Sequence, residues 1–218
     1  MHEYNIASTA ICILNTMSLK HSYTFIAPFY DLIVAKATHS IRKASLLQIE
    51  ELSNHDDNIL ITGIGTGLDI PHLPANRCYT GIDLTQGMLT KAERRKGNID
   101  ISLELGDAMQ LPYEDASFDM VVMHLILAVV PDPTLALQEA QRVVKNQGYI
   151  LILDKFLKPG QLAFMRRLAN PIVRHIATQT TVVFEHQLAK CPHLKLVTDE
   201  PVLAGGWFRR IVLTKQGG

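Results

Sequence analysis

Three glycines at alternate positions, Gly63, Gly65 and Gly67, close an apolar run over residues 59–62. Glycine accepts a positive φ and carries no Cβ, so such a loop lets backbone N–H groups come close to a small polar molecule beside a helix start. Asp83 follows Gly63 by 20 residues, at the end of a second apolar run over 78–82. A carboxylate there can accept hydrogen bonds from both hydroxyls of a ribose, the role this spacing has in nucleotide-binding α/β folds. A strand-to-helix turn with no ligand is the plainer alternative. Two further groups stand at comparable places: Asp107, within Gly106-Asp107-Ala108, and His124, at the end of an apolar run over 120–124. Histidine has an ordinary pKa of about 6.5, so His124 either takes a proton from a nucleophile or bonds a backbone group while lining a pocket.

Two cofactor classes use this geometry. Nicotinamide dinucleotides use GxGxxG, and here the position after Gly67 is Leu68. S-adenosylmethionine has no phosphate, and its enzymes use GxGxG. The segments Gly106-Asp107-Ala108, Leu111-Pro112-Tyr113 and Ser117-Phe118-Asp119 then follow in order. Together these motifs resemble the class I S-adenosylmethionine-dependent methyltransferases, within the group that includes ubiquinone/menaquinone and phosphatidylethanolamine methyltransferases. The resemblance covers residues 58–156 closely and 23–43 more weakly. It implies S-adenosylmethionine as cofactor, held by Gly63, Gly65 and Gly67 with the ribose on Asp83. It also implies that Leu84 and Met88 sandwich the adenine, whose edge meets Asp107 and the amide of Ala108; ordinary helix packing is the alternative for Leu84 and Met88. The segment 23–31 resembles the "YD" helix of that group, which puts Tyr30 over the methionine end of the cofactor, unless it is a core tyrosine. One departure stands out. The family has an acid two residues before the first glycine, and this chain has Ile61. Asp69 or Thr62 can supply a replacement, or Asp69 is simply a helix N-terminal acid favoured by the macrodipole.

These residues need strands that end together. Apolar runs predict strands at 59–62, 78–82, 101–105, 120–124 and 149–154, with two more at 194–198 and 208–214. Helical spacing runs over 22–51, a helix is expected to start near Thr85, and Pro131-Asp132-Pro133 opens an amphipathic helix over 134–144 that Asn146-Gln147-Gly148 stops. Alternating strands and helices imply a doubly wound α/β sheet. The resemblance adds that it is Rossmann-like and seven-stranded, mostly parallel with a reversed last strand. The expected organisation is an N-terminal extension over 1–22 and a single methyltransferase domain over 23–218, with a substrate lid near 155–190.

Composition narrows the partners. With 21 basic and 21 acidic residues and 47% hydrophobic residues among 218, the chain has material for a full core and no charge excess for nucleic acid. Cys12, Cys78 and Cys191 are odd in number and lack a CxxC pair, so neither a disulfide framework nor a metal site is suggested. The apolar patch at 6–14 has no preceding Lys or Arg and is far shorter than a membrane span, and the expected location is cytoplasmic. Between 155 and 175 the sequence carries Lys155, Lys158, Arg166, Arg167 and Arg174 and no acid, interspersed with apolar residues. Such a segment either lies on an anionic membrane surface or is a solvated face of the lid. The expected acceptor is a small or amphipathic molecule, with a phospholipid amine ahead of a quinone ring carbon, and no obligate protein partner is evident. A non-catalytic S-adenosylmethionine-binding module and a nicotinamide oxidoreductase are the readings from other classes.

Overall fold

The computed structural model describes residues 38–157 and 182–217. Seven strands form one sheet: β1 (Asn58–Thr62), β2 (Cys78–Asp83), β3 (Ile101–Leu105), β4 (Phe118–His124), β5 (Val144–Lys155), β6 (Leu194–Leu203) and β7 (Phe208–Lys215). Their spatial order is β3-β2-β1-β4-β5-β7-β6. The first five pair in parallel, and β7 is antiparallel to both β5 and β6. The expected sheet with a reversed last strand is therefore present, the reversed strand lying between β5 and β6.

Strand alternation divides the core into two layers. Leu60, Ile82, Val121, Met123, Ile150 and Ile152 face one side, where they pack with Ala136, Leu137, Ala140 and Val143 of the helix α3 (Pro133–Val143). Ile59, Ile61, Tyr79, Ile101, Met120, Val122 and Leu151 face the other, against Ile49 of α1 (Gln48–Leu52) and Leu89 and Ala92 of α2 (Gln86–Glu93). Helical residues 38–46 lead into α1, and α4 (Phe184–Leu188) precedes β6. Residues 39–218 make up one compact unit.

α3 starts as its sequence requires: the Asp132 carboxylate accepts from the amides of Thr134 and Leu135, and Pro133 occupies the first turn. Its end differs from expectation. The helix stops at Val143, and Asn146-Gln147-Gly148 fall inside the residues of β5, where Gln147 has φ +65° and the β4 pairing shifts register. The turn signal makes an irregularity at the start of a strand. The segment between the glycine loop and β2 also differs, being a three-residue 3₁₀ turn (Ile70–His72) with Pro71 inside it.

The motif 111–119 is clasped by α3. Arg142 donates to the carbonyls of Leu111 and Tyr113, to Asp115 and to Glu139, and Glu139 accepts from the amide of Leu111. Asp119 accepts from the amide of Asn58 and from Lys145, tying the starts of β1, β4 and β5.

Candidate functional site

The register sets Thr62 beside Ile82, Asp83 beside Leu105, and His124 beside Leu153. The glycine loop, Asp83, Asp107 and His124 thus lie at the carboxyl ends of adjacent parallel strands, where α/β sheets bind ligands.

All three loop glycines have positive φ, +63° at Gly63, +58° at Gly65 and +78° at Gly67, but they serve different ends. A Cβ at Gly63 would lie 2.4 Å from Ile126 Cδ1, and one at Gly67 would lie 2.9 Å from the Ala92 Cα of α2. Those two glycines permit close packing of the protein on itself. At Gly65 the nearest atom to such a Cβ is the Gly63 carbonyl oxygen at 3.9 Å, so this position faces open space.

Asp83 organises the loop. One carboxylate oxygen accepts from the Gly65 amide at 2.9 Å and the other from the Thr85 amide at 2.9 Å, while the Asp83 carbonyl accepts from Gly106. Each carboxylate oxygen keeps a second lone pair, which is what a vicinal diol requires. Burial raises the Asp83 pKa from its ordinary value, and the two amides only partly offset it. Asp107 binds the Met109 amide with its side chain and the Gln110 amide with its carbonyl, a tight turn that leaves Ala108 buried. Leu84 is half-buried. Met88, on α2, is buried, yet among the described residues neither it nor Ala108 belongs to either core layer. The cofactor's fit rests on these features: an open glycine position, a carboxylate with spare acceptors, and apolar side chains outside the core. Tyr30 lies outside the described residues.

His124 and Asp69 meet in a way spacing did not reveal. His124 Nδ1 is 3.1 Å from Asp69 Oδ2, its Nε2 is 3.0 Å from Ser45 Oγ, and Asp69 Oδ1 accepts from Arg42 at 2.7 Å. Arg42 and Ser45 come from the helical residues 38–46, and all four residues are buried. Burial is the largest influence on Asp69 and would raise its pKa, but Arg42 and His124 together outweigh it and hold the carboxyl well below the usual range. Asp69 makes no capping hydrogen bond to the 3₁₀ turn it precedes, so an ion pair, not the macrodipole, accounts for its position. An ionised Asp69 can only accept, so His124 Nδ1 carries a hydrogen, and Nε2 shares a hydrogen bond with the Ser45 hydroxyl. Asp154 lies one residue beyond the strand partner of His124. It is fully buried, accepts from the amides of Leu127, Ala128 and Lys155, and burial pushes its pKa up to about 6. It pins the loop after β4, whose first residue, Leu125, has φ +57°.

Residues 60–152 match the family model described as "Methyltransferase domain". A phosphatidylethanolamine N-methyltransferase of Cereibacter sphaeroides is 27% identical over 184 residues, covering 82% of this chain and 89% of that protein. A demethylmenaquinone methyltransferase of Staphylococcus aureus is 41% identical over 76 residues, 34% of this chain and 32% of that one. Among solved structures, an S-adenosylmethionine-dependent methyltransferase from Thermotoga maritima shares the fold with a TM-score of 0.63 at 20% identity, over 90% of this chain and 99% of the other. Among the described residues no helix is long and apolar enough to cross a membrane. Sheet order, glycine loop and the match over residues 60–152 agree: the chain carries a methyltransferase domain of Rossmann-like fold and is a methyltransferase whose methyl donor is S-adenosylmethionine.

Proposed function

We propose that this methyltransferase acts on the amine of an amphipathic lipid of the phosphatidylethanolamine type. The observation that carries this reading is extent: the likeness to the phosphatidylethanolamine enzyme runs over 82% of the chain, whereas the likeness to the quinone enzyme stops at 34%. The basic, apolar stretch after β5 in the sequence supports it. When bound, the cofactor supplies an electrophilic methyl on a sulfonium. Gly65 would give it room, Asp83 would hold its ribose, Asp107 and the Ala108 amide would bind the adenine edge, and Leu84 and Met88 would cover the adenine. Gly63 and Gly67 shape the loop that makes this possible. The resemblance assigns Tyr30, outside the described residues, to shielding the reacting end from water, where a fixed in-line geometry matters most. His124 stands at the acceptor side as the group that takes a proton.

A quinone ring carbon is the second reading, favoured by the higher identity of the 76-residue match. Purified protein with methyl-labelled S-adenosylmethionine should transfer label to dispersed phosphatidylethanolamine. Label in a demethylated quinone instead would establish the second reading, and tight S-adenosylhomocysteine binding with no transfer across lipid, quinone and amine acceptors would establish a binding module.

A further inference from the structure

We propose that Asp69 is the positioning residue that presents His124 Nε2 as the proton acceptor of the reaction, with the Ser45 hydroxyl holding the place that the acceptor's own O–H or N–H group takes. The proposal rests on the methyl-transfer reading above and adds to it the direction of the ring and the identity of its resting partner.

The geometry is that of an oriented base. A carboxylate on one ring nitrogen fixes the tautomer, and a hydroxyl lies on the other within hydrogen-bond distance. Arg42 pairs with the same carboxylate that meets the ring. Water is kept out: Ser45 is 0% exposed and His124 4%. A base that bulk water protonated would be lost to the reaction, so a hydroxyl stopper that yields to the acceptor keeps it available. Ser45 and Arg42 lie three residues apart on one helical segment, which presents both to the His124–Asp69 pair.

The step balances. The nucleophile bonds the methyl carbon, the carbon–sulfur bond breaks with its electron pair left on sulfur, and the hydrogen of the nucleophile passes to Nε2 as a proton. The imidazolium then faces Asp69 until the product leaves and the proton returns to water. Asp69 is the charged group in contact with the ring; Arg42 acts through it. His72 lies within electrostatic reach of Asp69, and its pKa is lowered by burial and then by His39, with Lys43 and Arg42 acting in the same direction. Asp154 stands on the neighbouring strand, one residue past the partner of His124.

Three variants and two spectroscopic readings test this. Nitrogen-15 NMR of the histidine ring should show His124 as the Nδ1–H tautomer in the wild type and the Nε2–H tautomer in Asp69→Asn. With phosphatidylethanolamine as the probe acceptor, Asp69→Asn and His124→Gln should each lower kcat by about 10²- to 10⁴-fold. In Asp69→Asn the ascending limb of the kcat–pH profile should also shift to lower pH, because the imidazolium has lost its carboxylate. Ser45→Ala should lower KM several-fold, since the acceptor no longer competes with a hydroxyl. S-adenosylhomocysteine binding, read by calorimetry, should stay within about threefold in His124→Gln and Ser45→Ala, and circular dichroism of all three confirms that they fold. A wild-type ring protonated on Nε2 overturns the proposal whatever the acceptor proves to be. So does a kcat in Ser45→Ala that falls as far as in His124→Gln, or an unchanged pH profile in Asp69→Asn. Failure of S-adenosylhomocysteine to bind the wild type overturns the methyl-transfer reading instead.

Discussion

At Asp83 one carboxylate serves both the protein and its ligand, since the oxygens that hold the Gly65 and Thr85 amides are the ones proposed to hold the ribose. Removing it should cost more than a contact. A hydrogen bond to a charged group is worth about 1.5–3 kcal/mol, so Asp83→Ala is expected to weaken S-adenosylhomocysteine at least tenfold by isothermal titration. Unchanged affinity would remove the ribose role. The glycines separate by the same logic. Gly65→Val meets open space and pays a left-handed backbone penalty of about 1–2 kcal/mol, so it should remain folded and lose cofactor binding. Gly67→Ala drives a methyl into the α2 backbone and should lower the melting temperature by about 5 °C or more. The glycines and Asp83 were legible because backbone chemistry demands those residue types at that spacing. The Arg42–Asp69–His124–Ser45 chain was not, since its partners lie 27, 55 and 79 residues apart and only the fold joins them.

Among the elements, the loop after β4 depends on a buried acid that titrates near neutrality. The sign of its effect follows from the direction of the shift. Asp154 has a folded pKa of about 6, above the unfolded value of about 3.9, so its folded state is favoured while it is protonated. That advantage is complete below the unfolded pKa and fades as pH rises through 6. Urea unfolding should therefore show about 2 kcal/mol of stability lost between pH 4 and 7 through this group. Asp154→Asn should lack that component, whatever its absolute stability. An identical slope in both proteins would mean that Asp154 is not buried as a lone carboxylate. Strand centres were readable from apolar runs, because both faces of a parallel sheet are buried. Boundaries were not: β5 begins at Val144 through an irregular stretch, and the helix expected after the glycine loop shrinks to a 3₁₀ turn. In both places tertiary pairing overrides the local signal.

On the scale of the whole molecule, net charge is zero, so any attraction to a membrane must come from uneven distribution. The basic stretch between 155 and 175 is such a concentration, although 158–181 lie outside the described residues and the proposal stands on sequence alone. Each basic residue near an anionic surface contributes about 1 kcal/mol, screened by salt. Arg166→Gln together with Arg167→Gln should reduce sedimentation with anionic liposomes and leave S-adenosylhomocysteine affinity nearly untouched. A wild-type protein that ignores such liposomes at low salt would turn the acceptor towards a soluble metabolite. The fold class was readable as a whole because α/β alternation permits few topologies, but the acceptor was not, since cavity shape follows no shared motif.

The insertion of β7 between β5 and β6 has a consequence for the chain as it is made. While a ribosome is still adding residues up to about 207, β5 has β4 on one side and no partner on the other, and β6 has none at all. The growing protein thus carries an open hydrogen-bonding edge beside a strand that runs Tyr149-Ile150-Leu151-Ile152-Leu153, which is the kind of surface on which nascent chains associate with one another. A ribosome stall just before Phe208 would hold the protein in that sticky form. Once β7 is in place, one strand covers both vacancies at once, and the edge of β5 is closed.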